Sequence, residues 1–521
     1  MYGKVNGACL QGIEGYLIEV EVNLMSGLPM MAIVGLPDSA IREAGERVRA
    51  AVKNCGYRFP LERITVNMAP ADMRKEGASF DLAVAVGILV TSGQHRLEGL
   101  ERCLVIGELA LDGSLRPIPG VLSMVDAARA NGLTHVMLPA ANAPEARLIE
   151  GIEVIGLAHL DELKGITDIR QTSVGDGSRR GGGMNVLDAA AGAAKFTEDF
   201  ADVWGQHYAK RALLVAASGM HNIMLVGPPG SGKTMLIRRL PSILPALTDQ
   251  EALEVTKIYS AAGANKDRSR LIRTRPFRSP HHTISIGGLV GAGSIPKPGE
   301  ISLSHKGVLF LDEMPEFPRY VLEALRQPLE DRHVTISRAK AVFTFPAHFI
   351  LAASMNPCPC GYFGSDSDTS TCTCSPLKVQ SYRSRLSGPL LDRIDMHIEV
   401  PRADLKSLAL AQGQGMAGWS SADMRERMQV ALERQAYRYR GTAIRFNGEL
   451  AGRLLREACR LPAEAEQLLL ESIDTLGLSV RAHDRILRMA RTLADLDDVE
   501  AIGEEHTAEA IQYRSLDRKW G

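Results

Sequence analysis

The chain has 521 residues, too many for one hydrophobic core, so its length calls for about two to four domains. Apolar residues make up 45%, charged residues 23% and aromatic residues only 5%, a balance that excludes disordered and fibrous classes. Sixty Lys+Arg against 61 Asp+Glu give a net charge of -1, so any nucleic-acid partner must be held by a local basic surface and not by overall charge.

From Tyr2 to about Asp168, strand-like and helix-like segments alternate, which predicts a self-contained α/β domain over residues 1–170. RITVNMAP (63–70) reads as extended, and the stretch from Asp38 to Cys55 as a helix closed by Gly56. The longest apolar stretch, Leu82 to Val90, is too short to cross a bilayer, and MYGKVNGACL lacks the apolar core of a signal peptide. The expectation is a cytoplasmic chain with no membrane partner. PADMRKEGASFDLAVAVGIL (70–89), followed by GELALDGSLRPIPGV (107–121), resembles the proteolytic domain of Lon, with Ser79 where that family keeps its nucleophile. The family's base is a lysine, matched here by Leu122, which cannot accept a proton. The resemblance therefore implies a Lon-like fold without proteolysis, Ser79 taking a structural or capping role before a helix from Phe80 to Val90. Analogy with the DNA-repair ATPase RadA, which also carries a Lon-like domain, implies a DNA-binding or ring-supporting scaffold. Arg42, Arg47, Arg49, Arg63 and Arg74 are its candidate contacts, and plain solvated charges are the alternative.

QTSVGDGSRRGGG, starting at residue 171, is too rich in Gly and Ser to bury an element, so a flexible linker is expected over 171–184. Beyond it, apolar runs such as HNIMLV and GVLFLD between Gly-rich turns read as buried parallel strands of a second α/β domain, 185–403. GPPGSGKT fits the phosphate-loop pattern, directly after NIMLV and before MLIRRL. In that pattern Gly227, Pro228, Pro229, Gly230, Ser231 and Gly232 turn backbone N–H groups toward the phosphates of ATP. Lys233 neutralises β/γ-phosphate charge, and the Thr234 hydroxyl ligates Mg2+. About 80 residues on, the apolar run Val308 to Leu311 ends in Asp312-Glu313, one carboxylate for the magnesium ion and a second to polarise water. A third strand, HFILAASMNP, ends at Asn356, whose side chain suits holding the attacking water. After Pro401 the text turns to Leu, Ala, Arg and Glu at helical spacing, which predicts a helical lid over 404–521.

The order of phosphate loop, acidic strand, polar strand end and helical domain resembles the AAA+ ATPases, with Asn356 matching their first sensor. That family implies rings, usually hexamers, in which an arginine from one subunit enters the next subunit's site. SGPLLDRIDMHIEV (387–400) looks like the segment carrying that residue, here Arg393, the alternative being an intrachain pair with Asp392 or Asp395. LSVRAHDRILRMARTLADL (478–496) resembles the second-sensor helix of the magnesium-chelatase branch, which puts Arg481 over the nucleotide, with Arg485 and Arg488 as competitors. DVWGQHYAKRALLVAASGMHN (202–222) looks like the adenine-side segment. RPFRSPHHTISIGGLVGAGSIPKPGEISLSHKG (275–307) resembles a chelatase-type insert. It would offer Lys297 to a threaded polymer, and a second hairpin would offer Arg338 and Lys340. Solvated loop charges are the competing explanation.

From Met1 to about Leu496 the chain resembles the ComM/YifB family, through HNIMLVGPPGSGKT, FRSPHHTIS, GVLFLDEMPEF, MNPCPCGYFG, YRSRLSGPLLDRID and RILRMARTLADL. The resemblance implies a hexameric DNA translocase that drives branch migration of strand-exchange intermediates during natural transformation or homologous recombination. Its partners would be single-stranded and branched DNA, further copies of itself and recombination proteins. A chelatase-like remodelling ATPase and an ATP-dependent peptidase are the alternatives.

Four of the eight cysteines, Cys358, Cys360, Cys372 and Cys374, fall within one short Ser/Asp/Thr-rich stretch. Four thiolates so placed can close a tetrahedral zinc site, although structural pairs are ordinarily spaced by two or more residues. Reduced thiols or a labile disulfide are the alternatives. Cys9, Cys55, Cys103 and Cys459 are isolated and read as packing residues.

Overall fold

The computed structural model describes residues 1–73, 75, 77–171, 197–265, 267–293, 296–338, 341–364, 371–402, 419–477 and 479–514. Arg74, Lys340, all but the first residue of the expected linker and the start of the expected lid lie outside the described residues.

In the strand Glu14–Met25, alternate side chains Ile18, Val20, Val22 and Leu24 are buried, the period-two pattern of a sheet with one covered face. This strand lies within a seven-stranded sheet. The order is Met30–Val34, Arg63–Ala69, Glu14–Met25, Tyr2–Gln11, Cys103–Val105, His135–Pro139 and Glu153–Leu157. Only Glu14–Met25 runs against its neighbours. The helix Ser39–Asn54 packs beside it, Asp38 accepting the Ile41 N–H at 2.8 Å and Gly56 leaving with a φ of 77°. The helix Asp81–Thr91 is apolar on every side and nearly all buried, as a helix enclosed by a domain core must be.

Ser79 does not cap that helix. Phe80 holds the cap position without a side-chain bond, and Ser79 Oγ donates instead to the carbonyl of Ala8 at 3.2 Å, tying the helix entrance to the first strand. Leu122 is fully buried in the same apolar cluster as Ile106, Val121 and Met124. The candidate arginines divide. Arg42 and Arg63 are exposed, and Arg49 stacks over Phe59 at 5.1 Å. Arg47 is committed to the interior: its Nε and Nη2 donate to the two oxygens of the buried Asp81 at 2.8 and 2.9 Å. Burial pushes the Asp81 carboxyl above the usual carboxylate range, and the bonds from Arg47 pull it back. Arg47→Ala strands that carboxylate and is expected to destabilise the N-terminal domain by about 3 kcal/mol in a denaturant titration, more than Arg42→Ala or Arg63→Ala.

The second sheet has five short strands, all parallel, in the order Phe277–Arg278, Val308–Leu311, Ile350–Met355, Ile223–Val226 and Met396–Glu399. The three central strands are buried along their whole length, as expected where both faces are covered. Parallel pairing places the ends that lead to Gly227, Asp312 and Asn356 on one edge, which is what assembles a site from three distant stretches of chain. A two-residue ladder joins Gly291–Ala292 to Lys297–Pro298, and a longer hairpin joins His333–Arg338 to Ala341–Pro346.

The C-terminal part is helical: Ser421–Arg438, Gly452–Ala458, Ala463–Leu476, Val480–Leu496 and Glu504–Gln512. Ile486, Leu493 and Tyr513 share one apolar cluster with Leu213, Ile223 and Leu225, so these helices are built onto the flank of the sheet. Polar ties follow the same seam, with His221 Nε2 and Thr492 Oγ1 at 2.8 Å and Arg211 paired to Glu509 at 2.6 Å. The N-terminal domain is also docked. Ile13 is buried in the same cluster as Leu309 and Phe345, and Lys257 pairs with Asp126 at 2.6 Å. Among the described residues, no helix is long and apolar enough to cross a membrane.

Candidate active site

The phosphate loop follows the buried strand Ile223–Val226 and enters the helix Lys233–Arg238. Gly230 and Gly232 have φ of 76° and 89°, with open space where a Cβ would stand, so backbone conformation alone requires glycine there. Lys233 is buried, and its Nζ donates to the carbonyls of Gly227 and Pro228 at 2.7 and 2.9 Å and to Asn356 Oδ1 at 3.3 Å. Burial pushes Lys233 below the usual lysine range, against the pull of Asp312 and Glu313.

Thr234 Oγ1 donates to Asp312 Oδ2 at 3.0 Å, so the two proposed magnesium ligands already face one another. Ser354, the polar residue in the strand Ile350–Met355, donates to Asp312 and accepts the Glu313 N–H at 3.2 Å. It fixes both carboxylate-bearing residues at once. Motif reading passed over it, although a lone serine in ILAASM is a usable signal. Glu313 adopts φ 52°, which turns the chain sharply out of the strand and leaves its side chain exposed at the site. Lys233, Thr234, Asp312, Glu313 and Asn356 are thus gathered along one sheet edge, and Gly227 to Gly232 curve over it.

Arg393 and Arg481 are not there. Both line a cavity of about 490 Å³ together with Asn222, Phe349 and Asp395, the residues that precede three of the sheet strands. That is the edge opposite the phosphate loop, and a four-residue strand alone separates the two by roughly 13 Å. Arg481 therefore does not lie over its own chain's loop. The reason is the packing of Val480–Leu496 against the sheet flank, held by the Arg485–Asp395 ion pair. Arg393 is buried and pairs with Glu330, not with Asp392 or Asp395, and its Nη1 donates to Pro389 O at 2.7 Å. Arg332, Arg485 and Arg488 line the same cavity, and the Nε atoms of Arg393, Arg485 and Arg488 are buried without a hydrogen-bond partner. Five guanidinium groups line this space, together with the carboxylates of Glu330, Asp395, Glu449 and Asp484. Glu330, whose importance no motif announced, has as its only sequence signal its place three residues before the hairpin.

The four clustered cysteines converge. Sγ of Cys358 lies 3.3 Å from that of Cys360 and 3.7 Å from that of Cys372, with 3.6 Å between Cys360 and Cys372, and all four sulfurs lie within 4.8 Å of one another. Tetrahedral zinc with Zn–S of about 2.3 Å sets sulfurs about 3.8 Å apart, so the donor set fits. The backbone N–H of Tyr362 draws the Cys360 thiol down, while the Cys372 and Cys374 thiols of the same cluster are raised. Cys9, Cys55, Cys103 and Cys459 are buried, and burial pushes the Cys103 and Cys459 thiols up to about 12, as inert packing residues require. Lys297 and Arg338 are exposed on their hairpins.

Family models described as magnesium chelatase subunit ChlI match residues 199–408 and 20–142, and one for the ChlI C-terminal region matches 418–514. Competence protein ComM of Haemophilus influenzae is 42% identical over 509 residues, covering 97% of this chain and 96% of that one. The chain belongs to the ComM/YifB family of magnesium-chelatase-like AAA+ proteins. YifB of Escherichia coli is 40% identical over 507 residues, with 97% of this chain and 96% of that one covered. Lon protease 2 of Bacillus subtilis shares 27% identity over 179 residues, 31% of this chain and 32% of that protease, a partial likeness in keeping with a Lon-like fold. As an AAA+ protein, this ComM/YifB-family chain has the phosphate loop and acidic strand of an ATPase, for which the substrate is ATP with Mg2+.

Proposed function

We propose that this chain is an ATP-driven motor that closes into a homo-hexameric ring in the cytoplasm, engages single-stranded and branched DNA, and drives branch migration of recombination intermediates. The observation that carries the ring is the position of Arg393 and Arg481 on the sheet edge away from their own phosphate loop. Guanidinium groups there meet a γ-phosphate only when another copy presents one. In the assembled site Lys233 neutralises phosphate charge, Glu313 polarises the attacking water and Asn356 orients it. Arg393 and Arg481 of the adjoining copy then stabilise the transition state. Magnesium, when held by Thr234 and Asp312, supplies further charge neutralisation at the β- and γ-phosphates. The four cysteines hold a structural zinc ion.

DNA as the polymer is supported by the exposed Lys297 and Arg338 and by the competence protein to which the chain is similar along nearly its whole length. The pathway is natural transformation or homologous recombination, in company with recombination proteins. The test is steady-state ATP turnover with and without DNA. A several-fold rise with single-stranded or branched DNA, lost in the Lys297→Ala/Arg338→Ala double variant, is the expected result, and turnover indifferent to DNA contradicts it. The magnesium-chelatase matches at 199–408 and 418–514 favour one second reading, the remodelling of a protein complex. Stimulation by a protein and not by DNA is its signature.

A further inference from the structure

Between the strand Ile350–Met355 and the helix Pro376–Arg383, the chain passes from the ATP site directly into the cysteine cluster. Asn356, which accepts from Lys233 at 3.3 Å, is followed by Pro357 and then by Cys358, which is fully buried. Three residues further on, Gly361 has φ 88°, and a Cβ there would stand 2.5 Å from Cδ of Pro229 in the phosphate loop. The cysteine loop therefore lies flush against the loop that cradles ATP. Arg383 Nε adds a bond to the carbonyl of Pro357 at 3.3 Å, fixing the strand end from the far side.

We infer that the metal bound by Cys358, Cys360, Cys372 and Cys374 is a brace for the ATP site, holding Asn356 and Pro229 in place so that metal occupancy sets nucleotide binding and turnover. The inference rests on the zinc reading proposed above. Sulfur separations of 3.3 to 3.7 Å are those of ligands around one ion and not those of a disulfide, whose sulfurs are about 2.0 Å apart. Binding requires thiolates, so the ion displaces the thiol protons to solvent as it enters. The sequence from Cys358 to Cys374 has few apolar residues, so without the ion four thiols make only weak contacts, and the two ends of the loop lose their common anchor. Asn356 is two residues from the first ligand. A shift of about 1 Å at a catalytic side chain costs about 100-fold in rate, so a small relaxation there is enough to idle the site.

The test uses the full chain and reads bound zinc by elemental analysis, affinity for a fluorescent ATP analogue, ATP turnover without DNA, and amide hydrogen exchange over 227–234. Expected for the wild type is one zinc per chain. Stripping it with a chelator raises exchange over the phosphate loop, weakens nucleotide binding and lowers turnover by about 100-fold, and added zinc restores all three. Cys372→Ser reproduces the stripped state. Gly361→Ala keeps its zinc yet loses turnover, because the added methyl meets Pro229 in a backbone conformation that disfavours it. Wild-type protein that holds no zinc overturns the zinc reading and this inference with it. Zinc that is present but can be stripped with no change in loop exchange, affinity or turnover overturns the brace alone, and none of these readouts depends on the DNA motor.

Discussion

Arg393→Ala is expected to lower ATP turnover of the assembled protein by about 10³- to 10⁵-fold, while each isolated chain binds nucleotide as before. The residue lies across the sheet from its own phosphate loop, so its loss leaves Lys233, Thr234, Asp312 and Asn356 undisturbed. The fold tolerates the change. Glu330, its ion-pair partner, has a side chain 53% exposed and stays hydrated, and the lost bond to Pro389 is worth about 1 kcal/mol. Arg393→Lys is expected to recover only a small part of the rate, because an ammonium cannot make the forked contact of a guanidinium. Mixing separates action across an interface from action within one chain. Arg393→Ala and Lys233→Ala protomers are each inactive alone, yet a mixture regains turnover wherever an intact arginine meets an intact loop. A mixture that stays inactive at every ratio contradicts the arrangement.

Lys233→Ala is expected to reduce turnover by about 10²- to 10³-fold and to weaken nucleotide binding with it, measured by phosphate release and by titration with a fluorescent ATP analogue. The lysine sits beside two carbonyls and Asn356 in a site where burial already disfavours its charge, so a triphosphate is the partner it lacks. Thermal stability should hold or rise, since the substitution removes a desolvated cation whose hydrogen-bond partners are neutral, and this outweighs the lost attraction to Asp312 and Glu313. Unchanged turnover in this variant excludes the loop as the fuel site.

Local patterns in the sequence carried much of this architecture. GPPGSGKT was legible because its glycines and lysine act within one turn, and the Asp38 to Gly56 helix because its cap and its stop are both local. The strands that end at Asp312 and Asn356 stood out as apolar runs ending in polar residues, and parallel pairing brought them beside the loop. Three features were not legible, each for the same reason. Arg481 goes to the far edge because Val480–Leu496 packs through Ile486, Leu493 and the Arg485–Asp395 pair, contacts between residues about 90 apart in sequence. Ser79 bonds Ala8, from a strand some 70 residues earlier, and not the helix it precedes. The cysteine loop meets Pro229 through a single close approach at Gly361, which no spacing rule encodes.

The most direct test is ATP-driven branch migration on a synthetic three-stranded DNA, comparing the wild type with Glu313→Gln. Glutamine keeps the shape of the side chain and removes the carboxylate that polarises water, so the variant is expected to bind ATP and DNA and to migrate nothing. The account predicts strand exchange by the wild type that stops when ATP is withheld. Wild-type protein that hydrolyses ATP and binds the junction without moving it, or a Glu313→Gln variant that moves it equally well, would contradict the central claim.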